Sequence, residues 1–124
     1  MLSLTFLSCK NNKIDKWNGN GFIKHEGNYK TNNGYTIIVK NNKNLISYKV
    51  IDSLGRIICF SPHKMSSYSK WYLYWKKNIL WVYSGDIGSS FWDCNKNKPE
   101  QQFINEKKLH NHIPDDIKND FINY

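Results

Sequence analysis

The chain predicts a mainly β (α+β) domain: an antiparallel sheet of about six or seven short strands, curled into a barrel or left as an open layer, with one C-terminal amphipathic helix. Three observations point there. Short runs rich in Ile, Val, Tyr and Trp recur at close spacing, and the intervals between them hold Asn and Gly, which tolerate the positive φ of tight connections. Beyond Pro114 the apolar spacing changes to that of a helix.

Strands are expected at 21–24, 35–40, 45–52, 56–61, 68–76, 79–84 and 90–94. The turns between them fall at Asn32-Asn33-Gly34, at 41–44, at 52–55 and at Lys77-Asn78. Such short connections favour hairpins over helix-linked parallel strands. Near the end, Pro114 suits a first helical turn, Asp115 and Asp116 suit the positive end of a helix dipole, and Ile117, Phe121 and Tyr124 form one apolar stripe.

Four of the five tryptophans lie between Trp71 and Trp92. With Lys77-Asn78 as a two-residue turn, Lys76 faces Ile79, Trp75 faces Leu80, Tyr74 faces Trp81, Leu73 faces Val82 and Tyr72 faces Tyr83. Side-chain alternation then puts Leu73, Trp75, Leu80 and Val82 on a core face. The opposite face carries Tyr72, Tyr74, Trp81 and Tyr83. With Lys76 and Asp86 at its rim it forms a candidate binding patch, because aromatic rings with polar tips bury large area and still make hydrogen bonds. The alternative is that both faces are buried, one of them beneath the C-terminal helix.

The first twelve residues, MLSLTFLSCKNN, hold a short apolar run ending in Leu7-Ser8-Cys9 before hydrophilic Lys10-Asn11-Asn12. This segment resembles the processing site of bacterial lipoproteins. The resemblance implies a lipid on Cys9, a signal segment at 1–8, a tether at 9–20, a single β-rich domain at 21–124 and a place at the cell envelope facing the periplasm. If residues 2–8 instead alternate as a strand, the protein is expected in the cytoplasm. No stretch approaches the ~20 apolar residues that a spanning helix needs.

The formal charge is +8, yet 17 of the 18 basic residues are Lys, Arg56 being the exception, and they are spread along the chain beside 17 Asn. A dedicated nucleic-acid surface concentrates its charge and favours the bidentate guanidinium, so this field fits long-range attraction to an acidic protein or an anionic surface better. With Cys9 assigned to lipid, Cys59 and Cys94 are left either to form a disulfide in an oxidising compartment or to sit as separate buried thiols.

His110 and His112 with Asp115 or Asp116 lack a fixed third metal ligand, and a Cys94, His63 and Asp93 nucleophile set has no motif to link it. Neither a metal nor another cofactor is indicated, and no catalytic residue is assigned. Three functions fit. The first is a lipid-anchored periplasmic binding protein that captures an acidic partner protein, as immunity and inhibitor proteins do. The second is a single-stranded nucleic-acid module stacking bases on Tyr72, Tyr74 and Trp81 beside Lys76 and Lys77. The third is an envelope-glycan enzyme using Asp86 and Asp93, which requires carboxylates ~5 to 9 Å apart.

Overall fold

A computed structural model describes residues 17–104 and 112–122. Their strands are β1 (Gly21–Ile23), β2 (Gly27–Lys30), β3 (Thr36–Asn42), β4 (Leu45–Ile51), β5 (Ile57–Phe60), β6 (Met65–Ser66), β7 (Trp71–Lys76), β8 (Ile79–Ser84), β9 (Ser90–Asp93) and β10 (Gln101–Phe103). A 3-10 turn, Asp115–Ile117, leads into the short helix α1 (Lys118–Ile122).

The strands form two sheets and do not close into a barrel. Sheet A has the order β1-β7-β8-β9-β10, and sheet B has the order β2-β3-β4-β5 with β6 also paired to β4. All pairings are antiparallel. The mainly antiparallel class with a C-terminal helix is as expected, while three strands, β2, β6 and β10, lie where none is expected.

Local chemistry sets the hairpins. Lys77 and Asn78 have φ of 53° and 61°, the left-handed pair of a type I′ turn whose twist matches the flanking strands. The β7–β8 register is the one this turn predicts, Tyr74 opposite Trp81 and Leu73 opposite Val82. Lys43 and Asn44 repeat the device between β3 and β4, at φ of 55° and 68°. Between β4 and β5 the Asp52 Oδ1 atom accepts the Leu54 and Arg56 amides at 2.9 Å, and Oδ2 accepts Arg56 Nε at 2.7 Å. The Arg56 amide first, and then its guanidinium and the Leu54 amide, hold the Asp52 carboxyl below the usual carboxylate range.

The sheets pack face to face. Ile37, Val39, Tyr48 and Val50 from sheet B meet Leu73, Trp75, Leu80, Val82 and Trp92 from sheet A in one buried core. The assigned core face of the β7–β8 hairpin is therefore where expected. One polar bond crosses this core, Trp92 Nε1 donating to the Tyr48 hydroxyl at 2.8 Å, so neither amphipathic ring is buried without a partner. Packing reaches back to Trp17, which lies edge-on to Tyr29 and donates to the Lys30 carbonyl at 2.6 Å, although its sequence surroundings read as tether.

A third layer covers the other side of sheet A. Ile104, Ile113, Ile117 and Phe121 form a second cluster with Tyr72, Tyr74 and Trp81. The Phe121 ring is edge-on to Trp81 at 5.7 Å and tilted against Tyr83 at 6.1 Å. Helix α1 spans five residues, too few for independent stability, so this packing holds it. Tyr124, the third expected residue of its stripe, and His110 lie outside the described residues. Phe121 is fully buried. Phe121→Ala is expected to lower unfolding stability by about 3–5 kcal/mol in denaturant titrations, through lost transfer energy and the cavity left behind.

Candidate functional site

The third layer settles where an open surface lies. Tyr72, Tyr74 and Trp81 of the expected binding patch are 2%, 4% and 2% exposed, so that patch is corrected to an interior interface. The cause is the apolar stripe of the C-terminal segment, which has no other surface on which to leave water. Tyr83 is half-buried, and Lys76 and Asp86 remain exposed at the periphery. Asp86 Oδ2 accepts the Ser66 amide at 3.1 Å, tying the loop after β8 to β6 across the two sheets.

The tyrosine hydroxyls are bound by the covering segment. Tyr72 donates to Asp120 Oδ2 at 2.8 Å and Tyr74 to Asp116 Oδ2 at 2.7 Å. Lys70 Nζ lies 3.2 Å from Asp120, completing a Lys70, Asp120 and Tyr72 set at the edge of the helix. Burial first, and then the facing carboxylates, push both phenols above their ordinary value, Tyr74 to about 12. A base has no access to stack on these rings, which removes the stacking residues of the nucleic-acid reading, while its Lys76 and Lys77 stay exposed.

The outer face of sheet B, in contrast, is uncovered among the described residues. Inward Ile37, Val39, Tyr48, Val50 and Cys59 alternate with outward residues, and the register assembles those into cross-strand rows. One row runs Asn28, Ile38, Lys49, Phe60, and the next runs Lys30, Thr36, Ile51, Ile57. Phe60 is 59% exposed and Ile57 57%. A bulge between Val50 and Ile51 shifts the β5 register, so Ile57 pairs with Ile51 while Cys59 pairs with Val50.

A shallow cleft of about 250 Å³ lies on this face between Ile38, Lys40, Ser47, Lys49, Phe60 and Ser61. Lys30, Lys40 and Lys49 supply positive charge, and the rows named above contain no acidic residue. The arrangement offers an apolar anchor at Phe60 and Ile57 framed by ammonium groups. The sequence carried a signal for it: in LISYKVI the inward set Ile46, Tyr48 and Val50 alternates with outward Ser47, Lys49 and Ile51.

A wider cleft of about 560 Å³ opens beside β1, walled by Trp17, Phe22, Tyr29 and Tyr74 with Lys24 and Asp116. Its indole and the Tyr74 hydroxyl are already committed to Lys30 and Asp116, which leaves fewer directed groups for a ligand. Asp93 Oδ1 accepts the Asn95 amide at 3.0 Å, and Asp86 acts as described above, so each carboxylate of the glycan-enzyme reading serves a local turn or loop contact. Among the described residues no group of three or more His, Cys, Asp or Glu is placed to hold a metal ion. Cys59 and Cys94 are free, buried thiols. Cys59 and Cys94 belong to one core cluster, and the Asp93 carboxylate is bonded by Asn95.

The tyrosine pairs generate a pH dependence with a definite sign. Because Tyr74 is held up to about 12 in the folded protein and ionises near 10 when unfolded, the unfolded chain releases the proton first. The contribution is complete below pH ~10 and is lost as pH rises through about 12. Ultraviolet absorbance titration should show Tyr74 and Tyr72 ionising only above the ordinary tyrosine value, and Tyr74→Phe should reduce the alkaline loss of melting temperature. Comparison of the chain with protein-family models, curated proteins and solved structures returns no significant match, which leaves the surface itself as the guide to function.

Proposed function

We propose that this protein is a small binding module that captures an acidic partner protein on the outer face of sheet B. The observation that carries the reading is the contrast between the sheets: the central strands β7 and β8 of sheet A are buried on both faces, whereas sheet B presents Phe60 and Ile57 to solvent in rows that also hold Lys30 and Lys49. A central exposed aromatic flanked by charge has the composition of a protein contact surface, with the ring supplying burial and the lysines supplying steering. The chain's formal charge of +8 favours a partner of opposite sign.

No helix among the described residues is long and apolar enough to cross a membrane. In this reading membrane attachment comes from a lipid on Cys9, with the folded domain held at the bacterial envelope facing the periplasm and acting on envelope partners in the manner of an immunity or inhibitor protein. The lipobox-like Leu7-Ser8-Cys9 supports this placement.

Two outcomes are expected. A photo-crosslinking residue at position 60 should trap a partner that a probe at exposed Tyr68 does not. When that partner is purified, Phe60→Ser should weaken binding by about 10- to 100-fold, as loss of one buried aromatic anchor implies, and Lys49→Glu should weaken it by roughly 10-fold at low salt. Affinity that ignores both substitutions and ionic strength, or crosslinks to nucleic acid alone, rejects the reading. For the anchor, expression with the native N-terminus in a bacterial host should give an acylated chain in the membrane fraction, and Cys9→Ser should release it; an unprocessed soluble chain starting at Met1 contradicts the placement.

A further inference from the structure

Two buried thiols meet at the boundary between the sheets. Cys59 points inward from β5 opposite Val50, and Cys94 directly follows β9, its amide donating to the Asn78 carbonyl at 2.9 Å. They are 2% and 5% exposed and belong to one core cluster, and Cys94 is the neighbour that most strongly raises the Cys59 thiol. The Tyr35 hydroxyl donates to the Cys94 carbonyl at 3.4 Å, so the backbone at Cys94 is also tied to the segment leading into β3. Two cysteines from different sheets, brought together in an otherwise apolar core, form a preassembled pair.

Access to the pair is one-sided. A surface cleft of about 390 Å³ is lined by Tyr35, Arg56, Ile58, Cys94, Asn95 and Lys96, and Cys59 is not among its lining residues. A reagent therefore reaches Cys94 first. The neighbouring Cys94 first, and then burial, push the Cys59 thiol up.

We propose that Cys59 and Cys94 form a redox lock, closed by a low-molecular-weight disulfide or a dithiol oxidase, that covalently joins edge strand β5 of sheet B to the end of β9 in sheet A. In the first step the Cys94 thiolate attacks one sulfur of the oxidant's disulfide, forming a mixed disulfide and releasing one thiolate, which takes up the proton Cys94 lost. In the second, Cys59 loses its proton to solvent and attacks the Cys94 sulfur, releasing the second thiol. The protein loses two hydrogens and two electrons, and the oxidant is reduced to two thiols. Joining residues 59 and 94 restricts the unfolded chain, and oxidation is therefore expected to raise the melting temperature by on the order of 10 °C.

The test uses the full chain carrying Cys9→Ser, folded and reduced, incubated with oxidised glutathione, then alkylated in denaturant and measured by intact mass and non-reducing peptide mapping. The expected result is a chain lighter by two hydrogens, with Cys59 linked to Cys94, an upward melting shift that a reductant reverses, and no shift in a Cys94→Ala companion. Two alkylatable thiols after incubation, a glutathione adduct on Cys94 that never resolves, or a link that leaves the melting temperature unchanged would each overturn the proposal.

Discussion

The docking of the C-terminal segment onto the aromatic face of β7 and β8 is the contact on which the arrangement of surfaces depends. Sheet A is built from a hairpin apolar on both faces, and one face is satisfied by the sheet B core. The other contains Tyr72, Tyr74 and Trp81, whose exposure would forfeit on the order of 1.5–3 kcal/mol of burial for each large ring. Phe121 fills the space among these rings, and Asp116 and Asp120 accept the tyrosine hydroxyls, so one short segment meets both the apolar and the polar demands of the face. The five-residue helix is the shape this docking takes and owes little to intrinsic propensity.

From that contact the layer order follows. Sheet A becomes the middle layer, the helix and sheet B the outer ones, and the outer surface of sheet B is the broad sheet face left for a partner among the described residues. Its strand β5 does two things at once. It lifts Phe60 and Ile57 into solvent on the outer side and turns Cys59 inward toward Cys94. Alternation sets Cys59 and Phe60 on opposite faces, and the bulge at Val50/Ile51 lets Ile57, two residues before Cys59, share the outer face with Phe60.

Much of the local structure was legible because it is fixed by short-range chemistry. Lys77-Asn78 dictated the β7–β8 register, Pro114 preceded the helical segment, and the assignment of Leu73, Trp75, Leu80 and Val82 to the core follows from alternation alone. The fate of the Tyr72, Tyr74 and Trp81 face was not legible, because it depends on residues more than forty positions away in the chain docking back on it. Strands β2, β6 and β10 were missed for a different reason. GNYK, MS and QQF carry too few alternating apolar residues to signal a strand, and they exist because a longer neighbour offers a ladder to pair with. The outward row through Ile38, Lys49 and Phe60 was recoverable from alternation in β4, but the tryptophan-rich hairpin gave the stronger compositional signal.

The central claim is that the protein shows its partners the sheet B face and hides the hairpin's aromatic face. Covalent footprinting of aromatic side chains by brief hydroxyl-radical exposure, read residue by residue by mass spectrometry, measures this directly. Fast modification at Phe60 with protection of Tyr72, Tyr74 and Trp81 is the predicted result. Fast modification of Tyr72, Tyr74 and Trp81 with protection of Phe60 would contradict it and return the contact surface to the hairpin.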